Sequence, residues 1–482
     1  NVKTPIWYPE LEDNLLVKNN KGTEANRVRR MDYSIQISKW FYERCINEEV
    51  ITLISPHQAP GLYEAFGTEE FDDLYLKYEA DKTIPKKTVP AQDLFFDLLK
   101  ERAEIGRIYI MNLDHCNSHS SFKDKVSMSN LCQEITLPTT PIQDIHDEQG
   151  EIALCILSAV NVGGLNDLNE LENICDLSVR ALEQIIDYQD YPVRAAEVST
   201  KKRRSLGIGY IGLAHYLAKN NVKYSDPKAW ELVDRLSEAF QYNLLRASCN
   251  IAMEKGKCEG FDRTKYADGL LPIDHYKKDV DKIVPHKQRM AWESLRKDIA
   301  KYGLRHSTLS AQMPSESSSV VSNETNGIEP PRALMAIKKS KKGPLKQIAP
   351  GFPKLKNDYT LLWDMPSNEG YINVVAMMQK YFDQAISGNW SYNPTHFENN
   401  EVPLSVMAND MLTAYKLGWK TSYYQNTYDF KGDDEDVQPA GLSATIDADA
   451  DDGEDVILEP ENPVEQVSTT ADDDGECEAC TI

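Results

Sequence analysis

The run EIALCILSAVNVGGLNDLNELENICDLSVRALEQIID, residues 151–187, decides the fold class. Its opening part, 151–162, is a short strand-like run, and 172–187 carries apolar side chains at helical spacing. A strand feeding a long helix predicts an α/β architecture with parallel pairing. The alternation recurs outward from there. Strand-like runs lie at GRIYIMNLD (106–114) and RHSTLSAQ (305–312). Helical periodicity runs through WELVDRLSEAFQYNLLRASCNIAME (230–254) and INVVAMMQKYFDQAI (372–386). The basic, Pro- and Gly-rich stretch KSKKGPLKQIAPGFPKLKN (339–357) reads as a surface loop. No internal repeat of fixed period is present.

The 482 residues are 41% hydrophobic and 27% charged, the balance of a soluble globular protein large enough for two to four domains, or for one large domain with additions. No apolar run reaches the roughly 18 residues that a membrane span needs. A basic region followed by an apolar stretch is missing at the front, so secretion is not expected. The net charge of −23 argues against a broad nucleic-acid surface. Nine cysteines at scattered positions do not make a disulfide framework and predict a reducing cytoplasm.

Charge divides the chain. Residues 431–482 hold 18 acids and one lysine, which is −17 of the −23. The division predicts a folded body over 1–430 and a flexible acidic tail over 431–482, too polar to bury its backbone. The tail ends in Cys477-Glu-Ala-Cys480, and a solubilising tail has no use for two thiols. A CxxC there is either a dithiol that can travel or half of a metal site, and no second half with zinc spacing accompanies it.

Four further segments could carry chemistry. In SNLCQEITLP (129–138), Asn130, Cys132 and Glu134 are spaced by two, so an extended segment would project an amide, a thiol and a carboxylate from one face. That set suits a nucleophile or radical site with an adjacent base, although a plain strand with a buried cysteine reads alike. Cys155 lies in the apolar EIALCILSA, where a small core residue is the default. In RHSTLSAQMPSESSSVVSNETNGIEPP (305–331), Pro314 is expected at a helix N1, followed by Ser315, Glu316, Ser317 and Ser318. A helix start of that kind leaves N–H groups for an anion, and an ordinary capped terminus looks the same. Asn326-Gly327 marks a tight turn. In KTSYYQNTYD (420–429) the adjacent Tyr423 and Tyr424 would face opposite ways on a strand. His115, Cys116 and His119 are too few, on a strand–loop edge, to predict a metal site.

In this order, LLVKNNKGTEANRVRRMDY, ISPHQAPGLYEAF, GRIYIMNLDHCNSHS, SNLCQE, EIALCILSA, GLRHSTLSAQMPSESSS, NGIEPPR and YYQNT resemble the large, catalytic subunit of aerobic (class I) ribonucleoside-diphosphate reductases. The resemblance covers residues 10–430 and the terminal dithiol. It implies a ten-stranded α/β barrel of two parallel five-stranded halves, with a central finger loop carrying the active cysteine. It implies that Cys132 is the thiyl radical that takes the 3′ hydrogen, Glu134 the base at the 3′ hydroxyl, and Asn130 a hydrogen-bonding partner of the ribose. Leu131 and Gln133 would complete the loop against the substrate. Tyr423 and Tyr424 would relay the radical from a small, metal-containing subunit, and Arg107 would lie near the relay. Cys155 would be half of the redox pair serving the 2′ position. Pro314, Ser315, Glu316, Ser317 and Ser318 would cradle the diphosphate of a ribonucleoside diphosphate. Cys477 and Cys480 would shuttle reducing equivalents from thioredoxin or glutaredoxin. No cofactor or metal is expected on this chain, nor any nucleic-acid or membrane partner.

Relatives of that kind continue well before the position of Asn1. The partner of Cys155, the base-reading loop and the effector sites are expected on that preceding part. The chain is therefore expected to be an excerpt, or one piece of a divided subunit, and to work only with an N-terminal complement. A non-catalytic relic that merely binds the other subunits is the competing reading, and keeping the relay tyrosines together with the terminal dithiol argues against it. A glycyl-radical or cobalamin-dependent relative conflicts with the tyrosine pair beside an acidic tail.

Overall fold

Parallel pairing gathers the strands into two arcs. The computed structural model describes residues 1–19, 27–28, 31–340 and 343–428, with backbone alone over 336–340 and 343–346. The strands that matter are β1 (Val2–Pro5), β2 (Tyr33–Ile37), β3 (Ile108–Asn112), β4 (Ile156–Asn161), β5 (Leu206–Ile211) and β6 (Thr421–Ser422). The first arc runs in the order β1–β2–β3–β6; its first three strands are parallel, and β6 closes it in antiparallel register on β3. The second begins with β4 and β5, paired in parallel from Ile156–Leu206 to Asn161–Ile211. Parallel bridges from Ile208 to Ser310 and from Gln312 to Ile386 extend it.

The connection from β4 to β5 bears out the α/β reading. Helix Glu170–Tyr188 buries Leu171, Cys175, Val179, Leu182 and Ile186, one stripe at helical spacing, so burial of that stripe holds it to the core. Helix Pro227–Lys255 starts with a proline in its first turn, where the missing N–H costs nothing, and packs against it. β2, β3 and β5 are buried along their whole length, as strands covered on both faces must be.

Several expectations need correcting. Among the described residues there is no closed ten-stranded barrel. The first arc ends in antiparallel β6, and the second continues only as isolated bridges, so no continuous ladder runs around the molecule. The helix expected over 372–386 stops at Gln379. Beyond it, Gln384 N–H donates to Ser310 O (3.0 Å) and Gln312 N–H donates to Ala385 O (3.1 Å), which draws the chain into the second arc. The buried Lys420 ammonium holds it there, donating to the carbonyls of Phe382, Asp383 and Gln384. The strand expected at 151–162 begins only at Ile156, and 305–312 pairs through single bridges. The supposed surface loop at 339–357 starts inside an antiparallel pair, Met335–Ser340 with Gly343–Ile348. The tail, with Cys477 and Cys480, lies outside the described residues.

Candidate active site

The loop around Cys132 lies between the arcs and is gripped by both. From the first arc, Lys3 Nζ donates to Asn130 O (3.4 Å) and Gln36 Nε2 to Ser127 O (2.7 Å). From the second side, Ala385 N–H donates to Glu134 O (2.9 Å), and Gln384 Oε1 accepts from Thr136 N–H (3.2 Å). The segment is not extended. Asn130 N–H donates to Ile135 O (3.2 Å) while Asn130 Oδ1 accepts from Ile135 N–H (3.0 Å), and Gln133 sits at φ +74°. A turn, rather than strand alternation, therefore brings the amide, thiol and carboxylate together. The fully buried Gln133 side chain staples that turn by donating to Asn130 O and Leu131 O.

Cys132 is 5% exposed and packs in one cluster with Leu131, Tyr109, Tyr423 and Tyr424. Tyr423 Oη donates toward its sulfur at 3.4 Å. The two relay candidates do not face opposite ways: they lie between β6 and the short strand Gln425–Thr427, with ring centroids 4.2 Å apart. Sequence reasoning missed Tyr109, whose ring packs at a tilt on Tyr423 with centroids 4.7 Å apart and meets Tyr424 edge-on at 5.5 Å. Its place in GRIYI looked like ordinary strand. The Arg107 guanidinium lies 5.9 Å from the Tyr424 ring, inside cation–π range. Burial pushes the Tyr423 phenol far above its ordinary pKa, so its proton stays on the oxygen.

Glu134 is 2% exposed, and burial raises its carboxyl pKa. Hydrogen bonds from the Asn130 amide and Ser387, with the charge of Lys3, oppose that rise. The buried Lys3 ammonium is itself pushed down to about 7. Cys155 lies immediately before β4, its thiol raised to about 12 by burial, and Gln384 Nε2 donates to its sulfur at 3.5 Å. Gly207 on β5 faces it: a Cβ there would stand 2.9 Å from the Cys155 sulfur. Gln384 thus links Cys155 to the Cys132 loop. Neither Gln384 nor Ser387 had a local sequence signal, because each acts across more than 200 residues of chain.

A cleft runs past this cluster, and its lining includes Ser387, Tyr423 and Tyr424 together with Pro314, Ser315 and Glu316. Helix Glu316–Val321 begins after an N-cap at Ser315, so Pro314 precedes the cap instead of occupying N1. Ser317 and Ser318 follow in its first turn, whose N–H groups have no intrahelical acceptor. Gly327, at φ +47°, makes the expected turn and lines the same cleft. His115 and His119 instead address the carbonyls of Trp419 and Pro272. No group of three or more His, Cys, Asp or Glu able to hold a metal occurs among the described residues. No helix among them is long and apolar enough to cross a membrane.

Fold and site together define an α/β protein with a buried thiol on an inner loop, packed against three clustered phenols. The family described as "Ribonucleotide reductase, barrel domain" matches residues 2–425, and the chain belongs to that family. It is 55% identical over 439 residues to the ribonucleoside-diphosphate reductase subunit alpha of Haemophilus influenzae, covering 90% of this chain and 58% of that protein. The same-named subunit of Buchnera aphidicola subsp. Baizongia pistaciae is 55% identical over 441 residues, with the same two coverages. The ribonucleoside-diphosphate reductase 1 subunit alpha of Escherichia coli is 52% identical over 437 residues, 90% of this chain and 57% of that protein. The chain thus spans somewhat over half the length of these relatives.

Proposed function

We propose that the chain is the catalytic portion of a ribonucleoside-diphosphate reductase, converting ribonucleoside diphosphates to 2′-deoxyribonucleoside diphosphates by thiyl-radical chemistry. The observation that carries this is the Tyr423 phenol 3.4 Å from the Cys132 sulfur, with the Tyr424 ring packed against it at a tilt. An oxidised Tyr423 takes the hydrogen atom of the Cys132 S–H, giving phenol and thiyl. The thiyl then takes the 3′ hydrogen of a ribose bound in the cleft, and Glu134 accepts the 3′ hydroxyl proton while Asn130 orients the ribose. Pro314 through Ser318 face the diphosphate with the first-turn N–H groups. Cys155 and a partner thiol supply two electrons for loss of the 2′ hydroxyl as water, and become a disulfide. Cys477 and Cys480 reduce that disulfide by exchange and are themselves reduced by thioredoxin or glutaredoxin.

Tyr423 needs an oxidant at Tyr424, which we assign to a small, metal-containing subunit, and the N-terminal portion of the large subunit completes the site. The test combines this chain with both and measures deoxyribonucleotide formed from ribonucleoside diphosphates. Product from wild type and none from Cys132→Ser is expected, because the O–H bond of serine is too strong to be made into a useful radical. Substantial turnover by Cys132→Ser would remove this thiol from the chemistry.

A further inference from the structure

Ser387 carries one hydroxyl proton and touches two acceptors. It is 7% exposed, and its N–H donates to Gln312 O (2.9 Å), which fixes the backbone. Its Oγ lies 2.5 Å from the Cys132 carbonyl oxygen and 3.1 Å from Glu134 Oε2. The one Ser387 proton serves either oxygen but not both; a carbonyl can only accept, so a bond to Cys132 O uses that proton. The second contact is then a hydrogen bond only if Glu134 carries a proton and donates it to Ser387 Oγ. An ionised Glu134 can only accept, and draws the Ser387 proton to itself, away from the Cys132 carbonyl.

We propose that Ser387 is a positioning residue whose hydroxyl couples the protonation of Glu134 to the backbone of Cys132. This rests on the reading of Glu134 as the base. As Glu134 gains the 3′ hydroxyl proton, Ser387 turns its own proton onto the Cys132 carbonyl; no proton passes through the serine. The other titratable or charged groups around Glu134 are Lys3 from β1, Cys132 on the same loop with Tyr423 against it, and Cys155 beside β4. Burial favours the neutral state, while the Asn130 and Ser387 hydrogen bonds and the charge of Lys3 favour the ionised one. The Asn130 amide, with donors only on its nitrogen, stays on Glu134 in the ionised state.

The Cys–Gln dipeptide occurs once in the sequence, at 132–133. Cysteine labelled with 13C at the carbonyl, with 15N-glutamine, therefore gives a single carbonyl-to-amide resonance in the full chain, free of substrate and other subunits. That carbonyl is expected to titrate in wild type, to lose its titration in Glu134→Gln and most of its amplitude in Ser387→Ala, and to regain it in Ser387→Thr. Wild-type amplitude in Ser387→Ala, or titration persisting in Glu134→Gln, would overturn the coupling. Turnover does not enter the measurement, so the coupling can fail while the reductase assignment stands, and the reverse.

Discussion

At the scale of single residues, the site depends on contacts of a few ångströms that chemistry makes unforgiving. Tyr423→Phe keeps the ring on Tyr109 and Tyr424 but removes the O–H facing Cys132. It should leave assembly of the complex intact and abolish product even in the first turnover, because a phenyl ring cannot exchange a hydrogen atom with a thiol. Rapid-quench analysis of one turnover checks this; near wild-type yield would break the relay assignment. Gly207→Ala tests the second thiol. The added methyl would stand 2.7 Å from Leu157 Cδ2 and 2.9 Å from the Cys155 sulfur. Something must shift, at a cost of about 1–3 kcal/mol. Because Gln384 joins Cys155 to the Cys132 loop, single-turnover yield should fall further than stability does, as a denaturation curve run beside the assay will reveal.

At the scale of elements, two long helices and the strand at 108–112 were legible in the sequence, because an apolar pattern decides them locally, whereas β1, β2 and β5 were not read from it. Glu170–Tyr188 and Pro227–Lys255 fall within a few residues of their expected bounds. The segment after Gln379 was not legible: its apolar residues continue the helical period, but the carbonyls that Lys420 captures lie some forty residues away in sequence. The same holds for the Cys132 loop, where Asn130 and Cys132 could be picked out by residue type and the turn that joins them could not. Helix Glu170–Tyr188 is also tied by charge. Glu183, 1% exposed, accepts from Arg204 (2.7 Å), Arg305 (2.8 Å) and His306 (3.1 Å). Burial alone would raise its carboxyl pKa, but the hydrogen bonds of His306, Arg204 and Arg305 together hold it well below the usual range. A depressed folded-state pKa means stability that is present above the unfolded value, near 4.3, and is lost as pH falls toward the folded one. Glu183→Gln keeps the shape but takes the carboxylate away from Arg305 and Arg204, the latter retaining Asp187, and should cost about 1–3 kcal/mol at pH 7. The gap between variant and wild type should narrow below about pH 4.3 in urea denaturation series. A gap independent of pH would mean that the charge is not what holds the helix.

At the scale of the whole molecule, the two arcs hold the Cys132 loop between them, and the last described residues lie beside the cleft. Asn426 lines that cleft, and the Tyr428 ring lies 5.3 Å from Trp363, a few residues beyond the tyrosine pair. Some 46 residues, 431–476, separate this point from Cys477. A flexible chain of that length spans roughly 35–40 Å root-mean-square. An arm of that reach would serve both the cleft and a reductant outside, and dense negative charge would keep it extended. The double change Cys477→Ser, Cys480→Ser should therefore spare the first turnover of pre-reduced complex. It should stop repeated turnover driven by thioredoxin or glutaredoxin, whereas dithiothreitol, small enough to enter the cleft, should restore part of it. Counting products per active site with each reductant separates these outcomes. A variant that cycles normally with thioredoxin would deny the terminal dithiol its shuttle role and leave the acidic arm only a solubilising one.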